Sequence, residues 1–206
     1  MTEYAAISYT PAVREAQRQN GSPLAHVPDG RHREPEDRPD VLGEAERAFI
    51  EARDGFYQGT VSETGWPYIQ HRGGPPGFVR AVSPTTIGYA DLRGNRQYIS
   101  VGNLAGDDRV AMLFIDHATP ARLKLYGRAR LVDDPDDPQV VALAAHADRG
   151  RVERAVLIDV IATDWNCPQH IARLFTADEV RAATARLLDR IADLERQLEA
   201  FTSLPA

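Results

Sequence analysis

FYQGTVSETGWPYIQHR, residues Phe56 to Arg72, places two short runs rich in aromatic and β-branched residues on either side of Glu63-Thr64-Gly65. Runs of this length, bounded by a glycine turn, read as two paired strands. The same pattern continues along the chain. FVRAV and TTIGYADL form a second pair that turns at Ser83-Pro84, and RVAMLFIDH and ARLKLYGRARLVDD follow as further strands. RVERAVLIDVIATDW adds a long strand with a continuous apolar centre. Short strands at close spacing with tight turns favour a barrel over a doubly wound parallel sheet.

Helical signals flank these strands. LGEAERAFIEARDG sets Leu42, Ala45, Phe49, Ile50 and Ala52 near one face, with Gly55 where a C-cap falls. DDPQVVALAAHAD predicts a helix before the last strand. TADEVRAATARLLDRIADLERQLEAF is amphipathic, with Val180, Leu187, Leu188, Ile191, Leu194 and Leu198 at three- and four-residue intervals. Thr176 and Glu179 supply a capping box at its start. The helix packs on its own barrel or against a helix of a second chain. Residues 1–40 read as a polar, irregular arm, with Pro, Gly, Asp and Arg dense from Gly21 to Asp40. The organisation is then an arm over 1–40, a barrel domain over 41–175 and a C-terminal helix over 176–206.

Composition narrows the function classes. The 206 residues carry 43% hydrophobic and 26% charged residues, and the formal net charge is −6. No basic stripe is available to neutralise phosphates along a nucleic acid. No apolar run approaches the roughly 20 residues that span a bilayer, and the N-terminus lacks a signal-peptide pattern. A cytoplasmic protein with no nucleic-acid or membrane partner is expected. Cys167 is the single cysteine, which excludes an intramolecular disulfide.

Three segments carry side chains suited to a ligand. RGNRQYISVGNL, residues Arg93 to Leu104, follows a strand with a glycine, an N-cap residue and a cation. A helix beginning at Asn95 would put Arg96 and Gln97 in its first turn, where free N–H groups and the dipole attract an anion such as phosphate. PYIQHRGGPPGF ends a strand with Gln70 and Arg72 on one face and His71 on the other. An ordinary partly buried histidine and a turn-capping arginine explain the same residues. DWNCPQHI gathers Trp165, Asn166, Gln169 and His170, which suit a flat heteroaromatic ring. No second Cys/His pair stands at ligand spacing, so no metal site is expected, and Cys167 reads as a buried structural thiol. Dinucleotide fingerprints, phosphate loops and serine elbows do not occur. Asp107-Asp108 and Asp133-Asp134 read as turn punctuation.

With these words in place, the sequence resembles the pyridoxamine 5′-phosphate oxidase-like family of flavin-binding split barrels. The matching words are PYIQHRGGPPGF, ADLRGNRQYISVGNL with DDRVAMLFID behind it, RLKLYGRARLV and WNCPQHI. The resemblance implies a mainly β (α+β) fold, a six-stranded antiparallel split barrel with flanking helices and the C-terminal amphipathic helix. It implies a homodimer with FMN in clefts between subunits. Gln70, His71 and Arg72 would then line the strand beside the flavin, and Tyr89, Ala90 and Asp91 would lie by the ring. Asn95, Arg96 and Gln97 would hold the phosphate. Trp165, Asn166 and Gln169 would reach the flavin from the partner subunit. The family's oxidases carry Arg-Lys where this chain has Arg96-Gln97, and their C-terminal Arg-x-His element is missing here. The resemblance therefore implies an FMN-dependent oxidoreductase acting on a small molecule, and vitamin B6 is not indicated as that substrate. The other readings are a non-catalytic carrier of flavin, deazaflavin or haem, and an interaction module built on the C-terminal helix. No side chain is marked as acid or base, and His71 and His170 qualify by titration range alone.

Overall fold

The computed structural model describes residues 3–23 and 40–202. In chain order the elements are α1 (Glu3–Ser8), α2 (Pro11–Gln19), α3 (Glu44–Glu51), β1 (Gly55–Val61), β2 (Pro67–Gly73), β3 (Val79–Ser83), β4 (Thr86–Leu92), α4 (Ile99–Gly106), β5 (Arg109–Asp116), β6 (Ala121–Val132), α5 (Pro138–Ala144), β7 (Val152–Asn166) and α6 (Ala177–Thr202). The chain divides into two units. One holds the sheet, up to Asp116 and from Ala121 to Pro168, and the other holds His117–Pro120 and the segment from Gln169 onward.

The sheet unit is one antiparallel sheet in the order β2-β1-β5-β6-β7-β4-β3. It is the expected α+β split-barrel fold, with seven strands where the resemblance implies six. The β6–β7 hairpin is its spine. β5 pairs with the first two-thirds of β6, whereas β4 pairs with the first half of β7. The register shifts at Tyr126/Gly127, where the hairpin bends. A Cβ at Gly127 would stand 2.6 Å from Ile158 Cγ2 and 2.8 Å from the Asp159 carbonyl, so only glycine fits this close approach.

Alternation decides which side chains enter the barrel. Phe56, Gln58 and Thr60 of β1 face inward, as do Val110, Met112 and Phe114 of β5. Phe56 packs edge-on against Tyr89 of β4 at 5.3 Å and lies 5.2 Å from Phe114. The Tyr89 hydroxyl donates to Gln58 Oε1 at 2.8 Å, joining β1 to β4 through the interior. β4 and the first half of β7 are buried on both faces, because α5 covers their outer side with Val140 and Leu143 against Ala90, Ala155 and Leu157. That double burial explains the continuous apolar centre of β7.

Several local expectations are corrected. The arm expected to be irregular over 1–40 is helical where described, with Thr10 accepting from Val13 N at the start of α2. Residues 24–39, which hold most of its Pro- and Asp-rich part, lie outside the described residues. Gly55 opens β1 opposite Gly73, and the C-cap of α3 is instead Ala52. At the last residue of the arm, Asp40 donates its N–H to the Ile161 carbonyl and accepts the Thr163 N–H at 2.8 Å, tying the chain to β7.

In the second unit, Thr176 and Glu179 form the expected capping box, each accepting the other's backbone N–H. The Leu174 N–H donates to the His117 carbonyl. Among the described residues no helix is long and apolar enough to cross a membrane.

Candidate functional site

The site is built where the open edges of the sheet approach one another. β2 and β3 lie at opposite ends of the strand order, so backbone pairing does not close the barrel between them. A side-chain pair bridges that side instead: Arg72 Nη1 of β2 donates to Asp91 Oδ1 of β4 at 2.6 Å. Arg154 of β7 stands behind it, its Nε 3.8 Å from Asp91 Oδ2 and its Nη1 2.8 Å from Asp133. Burial raises the Asp91 carboxyl above the ordinary carboxylate value, while Arg72 and Arg154 pull it partly back down.

The loop from Arg93 to Tyr98 and the start of α4 fold over this bridge. Asn95 does not cap a helix. Its Oδ1 accepts the Gln97 N–H at 3.1 Å in a local turn, and α4 begins only at Ile99. Arg96 and Gln97 therefore precede the helix instead of occupying its first turn. Arg96 and Tyr98 both take left-handed backbone, with φ of 64° and 51°. Such conformations disfavour a residue with a Cβ and persist where the surroundings impose them. Here the Tyr98 hydroxyl donates to Glu153 Oε1 at 3.1 Å, which anchors the loop to β7. α4 is fastened to β2 and β1 by Ser100 Oγ donating to Gln70 Oε1 and Asn103 Nδ2 donating to Thr60 Oγ1, both at 2.9 Å.

Two recesses flank the Arg72–Asp91 bridge. The first, about 190 Å³, brings together six of the expected residues: Gln70, Arg72, Asp91, Asn95, Arg96 and Gln97. The second, about 170 Å³, adds His71, Tyr89 and Ala90. Tyr89 is chiefly a core residue, fully buried, and burial pushes its phenol upward. Tyr68, Tyr98, Ser100 and Glu153 also line the first recess and were not foreseen. Tyr68 shares a strand face with Gln70 and Arg72 at two-residue spacing, a signal present in the sequence. Glu153 comes from a distant strand, and nothing local marks it.

Charge balance singles out one group. Arg72 faces Asp91, and Glu153 lies 3.6 Å from Arg93 Nε. Arg96 is exposed and makes no ion pair among the described residues. The recess thus carries one uncompensated cation beside the side-chain amides of Gln70 and Asn95, a donor set suited to an anion.

Trp165 and Asn166 are not brought to the recess within one chain. Trp165 Nε1 donates to Glu46 Oε1 of α3 at 2.7 Å, and its ring stands edge-on to Phe49. Asn166 pairs with Arg122 at the far end of the β6–β7 ladder, and Gln169 belongs to the second unit. Cys167 is exposed, not buried, because β7 ends one residue earlier and the core ends with it. Asp107 and Asp108 are held by Arg109 and Arg128, in keeping with turn punctuation. Among the described residues no three metal-ligating side chains come together.

Residues 42–163, more than half of the chain, match the family described as Pyridoxamine 5'-phosphate oxidase. The chain belongs to this family. Among solved structures it resembles the H111A form of HupZ from Group A Streptococcus, with a TM-score of 0.50 at 14% identity over 61% of this chain and 100% of that one. A putative pyridoxamine 5′-phosphate oxidase from Lactobacillus delbrueckii superposes with a TM-score of 0.47 at 18% identity, over 60% of this chain and 93% of that one. An FMN-binding protein from Syntrophomonas wolfei gives 0.47 at 10%, over 59% and 83%. At such identities, likeness to HupZ shows a shared fold only. No curated protein matches the sequence.

Proposed function

We propose that this member of the pyridoxamine 5′-phosphate oxidase family binds FMN, with the phosphate in the recess beside Arg96, and works as a flavin-dependent oxidoreductase on a small molecule. The observation that carries this reading is the uncompensated Arg96 on a left-handed loop, facing a recess of about 190 Å³ with Asn95, Gln97 and Ser100. The residues fit the group. A phosphate needs a cation and several neutral donors, and Arg72 Nε is also buried without a hydrogen-bond partner. Gln97 replaces the second cation of the family's oxidases, so the phosphate is held by one charge and several dipoles.

The recess is smaller than the ~300–1,000 Å³ of sites that enclose a whole small molecule. A second surface must therefore complete the flavin site, and a second copy of the chain is the natural source. In support, Tyr68 lines both the recess and an apolar groove of about 850 Å³ across β1, β2, β5 and β6. A copy seated on that groove walls the recess. Such a homodimer also allows Trp165, Asn166 and Gln169 to act from the partner.

Bound flavin supplies hydride transfer, while the protein supplies position and field. Arg96 anchors the anionic tail. The Arg72–Asp91 bridge fixes the guanidinium beside it, and the neighbouring strand backbone orients the rest. One observation favours a second reading, that of a carrier without turnover. The acids lining the recess are engaged, Asp91 with Arg72 and Glu153 with Tyr98 and Arg93, so the recess offers no free acid as a proton donor.

The absorption spectrum and mass of the cofactor in purified protein test the binding reading. Flavin bands with the mass of FMN are expected; a deazaflavin spectrum or a haem Soret band overturns the FMN assignment. Reduction by NADH or NADPH with repeated turnover then separates enzyme from carrier.

A further inference from the structure

We infer that α6 pairs with α6 of a second copy of this chain, parallel and in register, as a short two-stranded coiled coil. This rests on the helix itself and does not depend on the flavin reading. From Val180 the residues Val180, Thr184, Leu187, Ile191, Leu194 and Leu198 advance by alternating steps of four and three. That is the a/d spacing of a heptad seam, narrower than the broad apolar face of a helix that lies on a globular core. Thr184, Ile191 and Leu198 occupy a, and Val180, Leu187 and Leu194 occupy d. A β-branched residue at a with leucine at d favours two parallel strands. The apolar members of this seam, with Leu188 beside it, are 47% to 65% exposed along a 26-residue helix. A helix of this kind draws most of its stability from burying such a seam.

The flanking charges choose the orientation. Arg190 falls at g and Glu195 at the following e, so in a parallel pair each Arg190 meets the second copy's Glu195. Glu195 has no ion-pair partner among the described residues. Arg190 now reaches Asp193 at 2.7 Å, but Asp193 also accepts from Gln197 and lies 3.7 Å from Arg196. Arg190 can therefore turn to the second copy without stranding that acid. An antiparallel pair sets g against g and e against e, so Arg190 meets arginine or glutamine and gains nothing.

Cysteine crosslinking of the full chain tests this. In a Cys167→Ser background, Leu187→Cys and Leu194→Cys are each oxidised separately, with folding checked by circular dichroism and melting. Each is expected to give a disulfide-linked dimer in most of the chain, because equivalent d positions face each other in a parallel pair. Adding Arg190→Glu should slow crosslinking several-fold, and the double exchange Arg190→Glu/Glu195→Arg should restore it. No crosslink at either position means that α6 packs elsewhere and overturns the inference. A crosslink that forms only between Leu187→Cys chains and Ile191→Cys chains, where an antiparallel pair sets d against a, overturns it in favour of antiparallel pairing. An unchanged rate on the single charge exchange overturns the register. Flavin content is read independently, so its loss bears on the function proposal alone.

Discussion

Arg96 combines a charge without a partner among the described residues with a backbone conformation that costs about 1–2 kcal/mol for a residue bearing a Cβ. The two properties separate by substitution. Arg96→Ala removes the charge and keeps most of the backbone cost, so FMN affinity should fall about ten- to hundredfold, the equivalent of one charge-assisted bond. Arg96→Gly removes both. It should lose the same affinity yet melt higher than the alanine variant, by the equivalent of about 1 kcal/mol. Titration by flavin fluorescence and thermal melting of the flavin-free protein read the two effects. Unchanged affinity in either variant removes Arg96 from the phosphate site. Asp91 offers a pH signature. Burial holds its carboxyl above the ordinary 3.8 in the folded chain despite Arg72 and Arg154. The unfolded chain therefore releases this proton at lower pH than the folded chain does. The stability gained from the proton is full below the ordinary carboxylate value and is lost as pH rises through the folded one. Wild-type melting should decline over that interval by an increment that Asp91→Asn lacks, and parallel pH profiles for the two proteins would dismiss the assignment.

Gly88 shows how one element is fitted between two cores. A Cβ at this position in β4 would stand 2.7 Å from Leu157 Cδ2 and 2.9 Å from Leu143 Cδ1, so the glycine lets α5 close over the sheet. Gly88→Ala should cost about 1–3 kcal/mol by overpacking, and Leu143→Ala about 2–5 kcal/mol by cavity formation. The double variant gives the new methyl group the space that the leucine vacates. Its cost should fall short of the sum by about 1 kcal/mol in denaturant melts, and strict additivity would show that the two do not share that space. The same elements show what the sequence can and cannot declare. All seven strands stand out as runs, because five of them alternate or turn visibly, and double burial makes β4 and β7 continuous without hiding them. Asn95 misleads at the next element: its side chain has the chemistry of a helix cap, but the left-handed residues at 96 and 98 delay the helix to Ile99. No residue type announces a positive φ at arginine or tyrosine. The recess residues on β2 and on the 93–98 loop are legible as polar words. Glu153 and Ser100 are not, because only the pairing of β4 with β7 and the packing of α4 bring them there. Cys167 reads as a structural or buried thiol because proline follows it and no basic helix terminus is evident beside it, yet it falls just past the end of β7 and is exposed.

The two recesses, of about 190 and 170 Å³ in one chain, place the flavin question at the scale of the assembly. If a second copy seated on the β1/β2/β5/β6 groove completes the site, flavin binding and association are linked, and each strengthens the other by the same factor. Free FMN at about a hundred times its dissociation constant should then stabilise the folded dimer by about 2.7 kcal/mol for each FMN bound and shift its melting upward. Dilution gives the sharper reading. As the chain is diluted through its dissociation range, released FMN should regain the fluorescence of the free flavin, along the same concentration curve that sedimentation gives for the change from dimer to monomer. Excess FMN should move both curves together to lower protein concentration. A charged residue at Ile69, on the groove and 69% exposed, adds a control that leaves the phosphate donors untouched. Ile69→Asp should raise the concentration at which dimer forms and weaken FMN apparent affinity at low protein, with the deficit recovered as protein concentration rises. Flavin that stays bound to a sedimenting monomer would mean that one chain makes the whole site, and the groove would then need another occupant.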